Sequence, residues 1–161
     1  MQFSKNFSGK KILVTGHTGF KGTWLSIWLK QLGAIVHGVS FDIPSNPSHF
    51  NATNLSNQIE DHRLDIRDAK SIRKLVQKIQ PDFVFHLAAQ ALVRPSYESP
   101  LDTITTNVVG ITVTVTLSIY LKINNKLAYI YIGDTSDTGP TAYLRDSKWT
   151  LFENSIDFTE P

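Results

Sequence analysis

Five short apolar runs punctuate this chain, and between them apolar residues recur every three or four positions. "KILVT" (11–15) is an unbroken apolar run of the kind a strand buried on both faces requires, and Gly16 follows it at once. Phe20, Trp24, Leu25, Trp28 and Leu32 then fall at helical spacing, with Gly33 as the stop. "AIVHGVSF" (34–41) predicts a second strand, and the Pro-, Ser- and Asn-rich stretch 43–60 predicts a long surface connection. A short strand is expected near "HRLDI" (62–66). Asp68 then N-caps a helix whose inner face is Ile72, Leu75, Val76 and Ile79, and Pro81 ends it. "DFVFHL" (82–87) and "KLAYIYIG" (126–133) complete the set of strands.

Strands alternating with helices of about a dozen residues imply right-handed crossovers, and so an α/β fold with a doubly wound parallel sheet of Rossmann type. The segment "ITVTVTLSI" (111–119) carries two patterns: strict alternation suits a half-buried strand, whereas Val108, Ile111, Val115 and Ile119 form a helical stripe. A crossover between two parallel strands needs a helix there, so helix is the reading taken, with β-branched residues that support it poorly.

Composition narrows the class. With 161 residues, 41% hydrophobic and 19% charged, the chain has the make-up of one globular domain. A net charge of +2 with both signs interspersed leaves no footprint for nucleic acid or an anionic membrane. There is no cysteine for a disulfide framework, no signal-peptide pattern and no apolar run long enough to span a bilayer, so a soluble, cytoplasmic protein is expected. The five histidines show no paired metal-ligand spacing on a helix face; His17, His37 and His86 are read as packing or loop residues, and no metal site is expected.

The candidate chemistry begins at "GHTGFKG" (16–22). Where a parallel strand turns sharply into a helix, Gly16 permits the turn, Gly19 lets a diphosphate approach the backbone, and Gly22 lets helix pack on strand. The helix N-terminus adds unpaired N–H groups and partial positive charge. Asp42, 20 residues beyond Gly22, stands where a carboxylate accepts from ribose hydroxyls and repels a 2′-phosphate, which favours NAD over NADP.

With the "VTGHTGFKG" segment, including Thr18 and Phe20, the chain resembles the extended short-chain dehydrogenase/reductases, the nucleotide-sugar epimerases and dehydratases. "LDIRD" (64–68), "VFHLAAQALVRPSYESP" (84–100) and "TTNVVG" (105–110) resemble the CDP-glucose 4,6-dehydratases in particular. The resemblance implies that Gly16, Thr18, Gly19, Phe20, Gly22 and Asp42 bind NAD, that Asp65 and Ile66 sit at the adenine, that Ala88, Ala89 and Gln90 line the cofactor channel, and that Asn107 lies towards the nicotinamide. Arg94, Ser96 and Tyr97 either face the sugar nucleotide or belong to a solvated turn. "TSD" (135–137) matches the start of the dehydratase motif, so Ser136 would hydrogen-bond the C4 oxygen of the hexose and Asp137 would protonate the departing C6 hydroxyl.

Past that point the match stops. Thr138 stands where the family has lysine, and Tyr143 and Lys148 are one residue too far apart for the YxxxK pair that removes the C4 proton, about 140° from superposed on a helix. "TGPTAYLRDS" does not read as helix in any case. Residues 1–161 are therefore expected to be an NAD-binding domain truncated before the YxxxK helix, an incomplete Rossmann-like unit without its substrate domain, from a family that acts on nucleotide sugars such as CDP-glucose and forms homodimers. Two other readings stay open: a nucleotide-binding protein without catalysis, and an epimerase or dehydratase for another nucleotide sugar.

Overall fold

The computed structural model describes residues 4–114, 128–131, 143–145 and 149–151. Helix α1 (Ser4–Phe7) leads into β1 (Lys11–Thr15), α2 (Phe20–Gln31), β2 (Ile35–Ser40), α3 (His49–Ala52), a 3₁₀ turn (Leu55–Asn57), β3 (Glu60–Arg63), α4 (Ala69–Ile79) and β4 (Phe83–His86). After β4 come α5 (Val93–Glu98), α6 (Pro100–Ile104), a π-helical stretch (Thr105–Val109), and the strands β5 (Ala128–Tyr131), β6 (Tyr143–Arg145) and β7 (Trp149–Leu151). Strands β1 to β5 form one parallel sheet in the order β3-β2-β1-β4-β5, and β6 and β7 pair antiparallel.

The expected alternation thus builds the expected doubly wound sheet. Two apolar layers close it. On one face Leu13, Val39 and Val84 meet Ile72, Leu75, Val76 and Ile79 of α4; on the other, Ile12, Val14, Val36 and Phe85 meet Leu29 of α2. The four α4 residues are those that periodicity put on the inner face. Asp68 caps that helix, its carboxylate accepting from the Lys70 and Ser71 N–H groups at 3.0 and 3.1 Å, and Gln80 closes it in left-handed conformation.

Two expectations need correction, and the orientation of α2 is a further finding. The α2 helix exists, but its buried face is Gly22, Thr23, Ser26 and Leu29, while Phe20, Trp24 and Trp28 point outward. The reason is clearance: Gly22 rests on the backbone of Gly16, too close to the sheet for aromatic side chains to intervene. The 43–60 connection is not merely surface. Ser48 caps α3 by accepting from the Asn51 N–H, and this short helix and the 3₁₀ turn after it bury Phe50 and Leu55. The third strand runs over Glu60–Arg63, earlier than "HRLDI" suggested, because Leu64 to Asp68 form the turn into α4. The disputed 111–119 segment is helical over 111–114; the rest lies outside the described residues. Among the described residues no helix is long and apolar enough to cross a membrane.

Candidate nucleotide-binding site

In this strand order β1 has β2 on one side and β4 on the other, so the crossover from β1 runs to one side and the later one from β3 returns past β1 to the other, and a crevice opens at the carboxyl ends of β1 and β4. The segments holding Gly16–Gly22, Asp42, Asp65 and Ile66, and Ala88–Gln90 follow the carboxyl ends of β1, β2, β3 and β4 respectively. The fold therefore gathers residues scattered over 75 positions onto one edge of the sheet, from Gly16 to Gln90.

The three glycines have separate tasks. Gly16 has φ +73° and donates its N–H to the Val39 carbonyl at 2.7 Å; a Cβ there would lie 2.7 Å from the Leu87–Ala88 backbone. Gly22 packs against that same Gly16. Gly19 differs: a Cβ would touch only the Gly16 carbonyl, at 3.4 Å, so the space before it is open. It is also the N-cap of α2 and has no side chain to satisfy the first-turn N–H groups. An open, uncapped helix start is what a diphosphate needs. Thr18 is buried and donates from Oγ1 to the Asp42 carbonyl at 2.7 Å, which ties the loop to the end of β2 and leaves the exposed Asp42 side chain at the rim.

Behind the loop lies a buried polar layer. Thr15 Oγ1 accepts from the Leu87 and Ala88 N–H groups at 3.2 and 3.3 Å, so its own proton goes to His86 Nδ1 at 2.9 Å. Burial pushes His86 down to about 4, against a weaker opposing hydrogen bond with the Ala88 main chain, and the ring is neutral at pH 7. His17 is fully buried and bonded at both nitrogens, to Ser40 Oγ and Asp61 Oδ1, while Arg63 bridges to Asp61 and to the Asp42 carbonyl. The sequence pattern marks His17 as a packing or loop residue and does not single out Ser40, Asp61 or Arg63. The one available signal was Gly38 in mid-strand, where a side chain would collide with the His17 ring.

Other expected residues have specific placements. Asn107 and Gln90 do come together: Asn107 Oδ1 accepts from the Gln90 N–H at 2.8 Å and its Nδ2 donates to the Gln90 carbonyl at 2.9 Å. Asn107 occupies the π-helical stretch, a distortion frequent at functional sites. The Asp65 carboxylate is held by Arg67, with contacts of 2.7 to 3.0 Å that keep its pKa low. The Ile66 side chain belongs to the core and packs on Gly110, so what it offers the crevice is main chain. Within "RPSYESP", Arg94 to Glu98 belong to α5: Arg94 pairs with Glu98 at 2.9 Å, Ser96 Oγ donates to the Val93 carbonyl, and Tyr97 is 83% exposed. Ala88 is half-buried beside Gly16, and Ala89 and Phe20 are exposed. Ser136 and Asp137 lie outside the described residues; Tyr143 starts β6, in keeping with a non-helical "TGPTAYLRDS".

A parallel sheet with a glycine-rich turn at its switch point defines a dinucleotide-binding fold of the epimerase and dehydratase type. An epimerase from Methanothermobacter thermautotrophicus superposes with a TM-score of 0.69 at 27% identity, over 83% of this chain and 38% of its own. UDP-glucose 4-epimerase of Thermus thermophilus, solved as a complex with NAD, has the same fold with a TM-score of 0.64 at 22% identity, over 84% of this chain and 44% of its own. Residues 13–136 match the family described as GDP-mannose 4,6 dehydratase, and the chain belongs to that family of nucleotide-sugar dehydratases. It is 52% identical over 107 residues to the CDP-glucose 4,6-dehydratase of Salmonella typhimurium, a match that covers 66% of this chain and 30% of that enzyme.

Proposed function

We propose that this chain is the NAD-binding portion of a cytoplasmic CDP-glucose 4,6-dehydratase. The observation that carries the reading is Gly19: the open, uncapped start of α2 at the switch point, with Asp42 at the adjacent strand end. The likeness to the Salmonella enzyme points to a CDP-linked hexose rather than a GDP-linked one. NAD fits these residues, and when bound it would take and return the hydride that makes elimination across C5 and C6 feasible.

The chain's own residues divide the work. The backbone of Gly16–Gly22 holds the diphosphate, Asp42 accepts from the ribose hydroxyls, and main chain near Asp65 and Ile66 faces the adenine. Ala88, Ala89 and Gln90, braced by Asn107, bound the channel, and Arg94, Ser96 and Tyr97 stand towards the sugar nucleotide. Ser136 hydrogen-bonds the C4 oxygen, and Asp137 protonates the leaving C6 hydroxyl. The exposed apolar row Leu101, Ile104 and Val108 would pair two subunits into a homodimer.

The test is calorimetric titration of the 161-residue chain with NAD, followed by incubation with NAD and CDP-glucose. NAD binding without turnover is expected of these 161 residues, because they hold no YxxxK pair and the absence of a general base alone costs on the order of 10² to 10⁴ in rate. Absence of NAD binding would overturn the proposal. Turnover abolished by Asp137→Asn would show that another residue serves as base.

A further inference from the structure

His17 sits inside the glycine loop, and its ring has no exposed surface. Its Nε2 is 2.8 Å from Asp61 Oδ1 and its Nδ1 is 3.0 Å from Ser40 Oγ. A carboxylate only accepts, so Nε2 carries the hydrogen and Nδ1 of the neutral ring accepts from the Ser40 hydroxyl. The ring lies over Gly38, where a Cβ would strike it, and meets the Phe50 edge at 5.3 Å and 83°. Arg63 completes the layer: it contacts Asp61 Oδ2 at 2.9 Å, spans the Phe50 ring at 4.9 Å, and reaches the Asp42 carbonyl at 3.3 Å.

The main chain of the loop depends on this ring. The His17 carbonyl accepts from Thr23 Oγ1 at 3.0 Å, and the next N–H, that of Thr18, is directed at Ser40 Oγ at 3.4 Å. A shift of the imidazole therefore moves the peptides on both sides of it, between the two glycines that frame the diphosphate.

We propose that Asp61, on the edge strand and outside the cofactor crevice, is a positioning residue for the diphosphate-binding loop, acting through the His17 imidazole. Removing its carboxylate leaves a buried N–H without an acceptor, which is costly enough to expel the ring from its seat over Gly38. The core strands β1 and β4 pack by apolar contact and do not depend on that bond. The proposal rests on the dinucleotide reading for its consequence, but the loop geometry can be measured without ligand.

The test compares the 161-residue chain with Asp61→Ala and Asp61→Asn. Three quantities are measured: NAD affinity, amide hydrogen exchange, and the nitrogen-bound imidazole proton of His17 by NMR. Asp61→Ala is expected to speed exchange at His17, Thr18 and Gly19 about tenfold relative to Ile12–Val14, to erase the imidazole signal, and to weaken NAD binding about tenfold. Asp61→Asn, whose amide oxygen still accepts, is expected to recover most of each. Unchanged loop exchange in Asp61→Ala, or faster exchange spread evenly over β1 and β4, would overturn the role given to Asp61 whether or not NAD binds. Failure of the unaltered chain to bind NAD would count against the dinucleotide reading alone, with the exchange and imidazole signals still deciding the tether.

Discussion

The glycine loop and the segment 93–109 stand at the same end of the sheet, yet they are held in opposite ways. The loop is anchored by buried side chains: His17 is bonded to Ser40 and Asp61 on the strands beneath, Thr18 to the Asp42 carbonyl, and Thr23 of α2 to the His17 carbonyl. Helices α5 and α6 and the π-helical stretch contain no buried residue and expose Val93, Tyr97, Leu101, Ile104 and Val108. Polar side chains act here as internal struts that hold the main chain of the glycine loop. The second region is held by the local Arg94–Glu98 pair and by the bonds of Asn107 to the Gln90 main chain, and its large apolar side chains are exposed.

The largest expected effect breaks the first region outright. Gly16→Ala forces a side chain into left-handed backbone and against the Leu87–Ala88 peptide, and a loss of about 3 kcal/mol is expected in urea unfolding. Gly19→Val should leave unfolding nearly unchanged yet abolish NAD binding, because its space is open to ligand and not to protein. If both substitutions lowered stability alike, Gly19 would be structural and the distinction between the glycines would be lost.

Acid should attack the same region next. His86 is held down to about 4 by burial, and His17, His37 and His62 are lowered in the same direction, so the unfolded chain takes up protons before the folded one does. Stability is then full above about pH 6.5 and falls as pH drops towards 4, by about 2 kcal/mol at pH 5 from His86 alone. Unfolding midpoints that stay flat between pH 7.5 and 5 would contradict this burial.

Smaller still, Asp42→Ser is expected to narrow the preference for NAD over NADP by roughly tenfold, the size of one relieved repulsion at a protein surface. An unaltered ratio of affinities would remove Asp42 from the ribose site. Leu101→Ser and Tyr97→Ser, in the second region, should each change stability by less than about 0.5 kcal/mol. A larger loss would mean that α5 and α6 are packed more tightly than their exposure indicates.

Periodicity was sufficient wherever a segment's environment is uniform along its length. β1 and β4 are buried along most of their length and read as apolar runs, and α4 has one wet and one dry face and reads as a stripe. Periodicity alone does not give the orientation of α2, because close approach to the sheet selects small residues, which carry little hydrophobic signal, and leaves Phe20, Trp24 and Trp28 outside. It also passed over Phe50 and Leu55, which are too widely spaced in a polar stretch to form a pattern.

The kind of fold and the position of the glycine loop could be read from local spacing alone, as apolar run, glycines and helix in succession. What steadies that loop becomes visible once the strands are paired. Ser40 and Asp61 reach His17 from strands that are distant in sequence, and their hydrogen bonds depend on the parallel register of β2 and β3, which sets Gly38 beside Asp61. Neighbours in space that are 44 residues apart in the chain leave no periodic trace, because each satisfies a single buried group rather than a face.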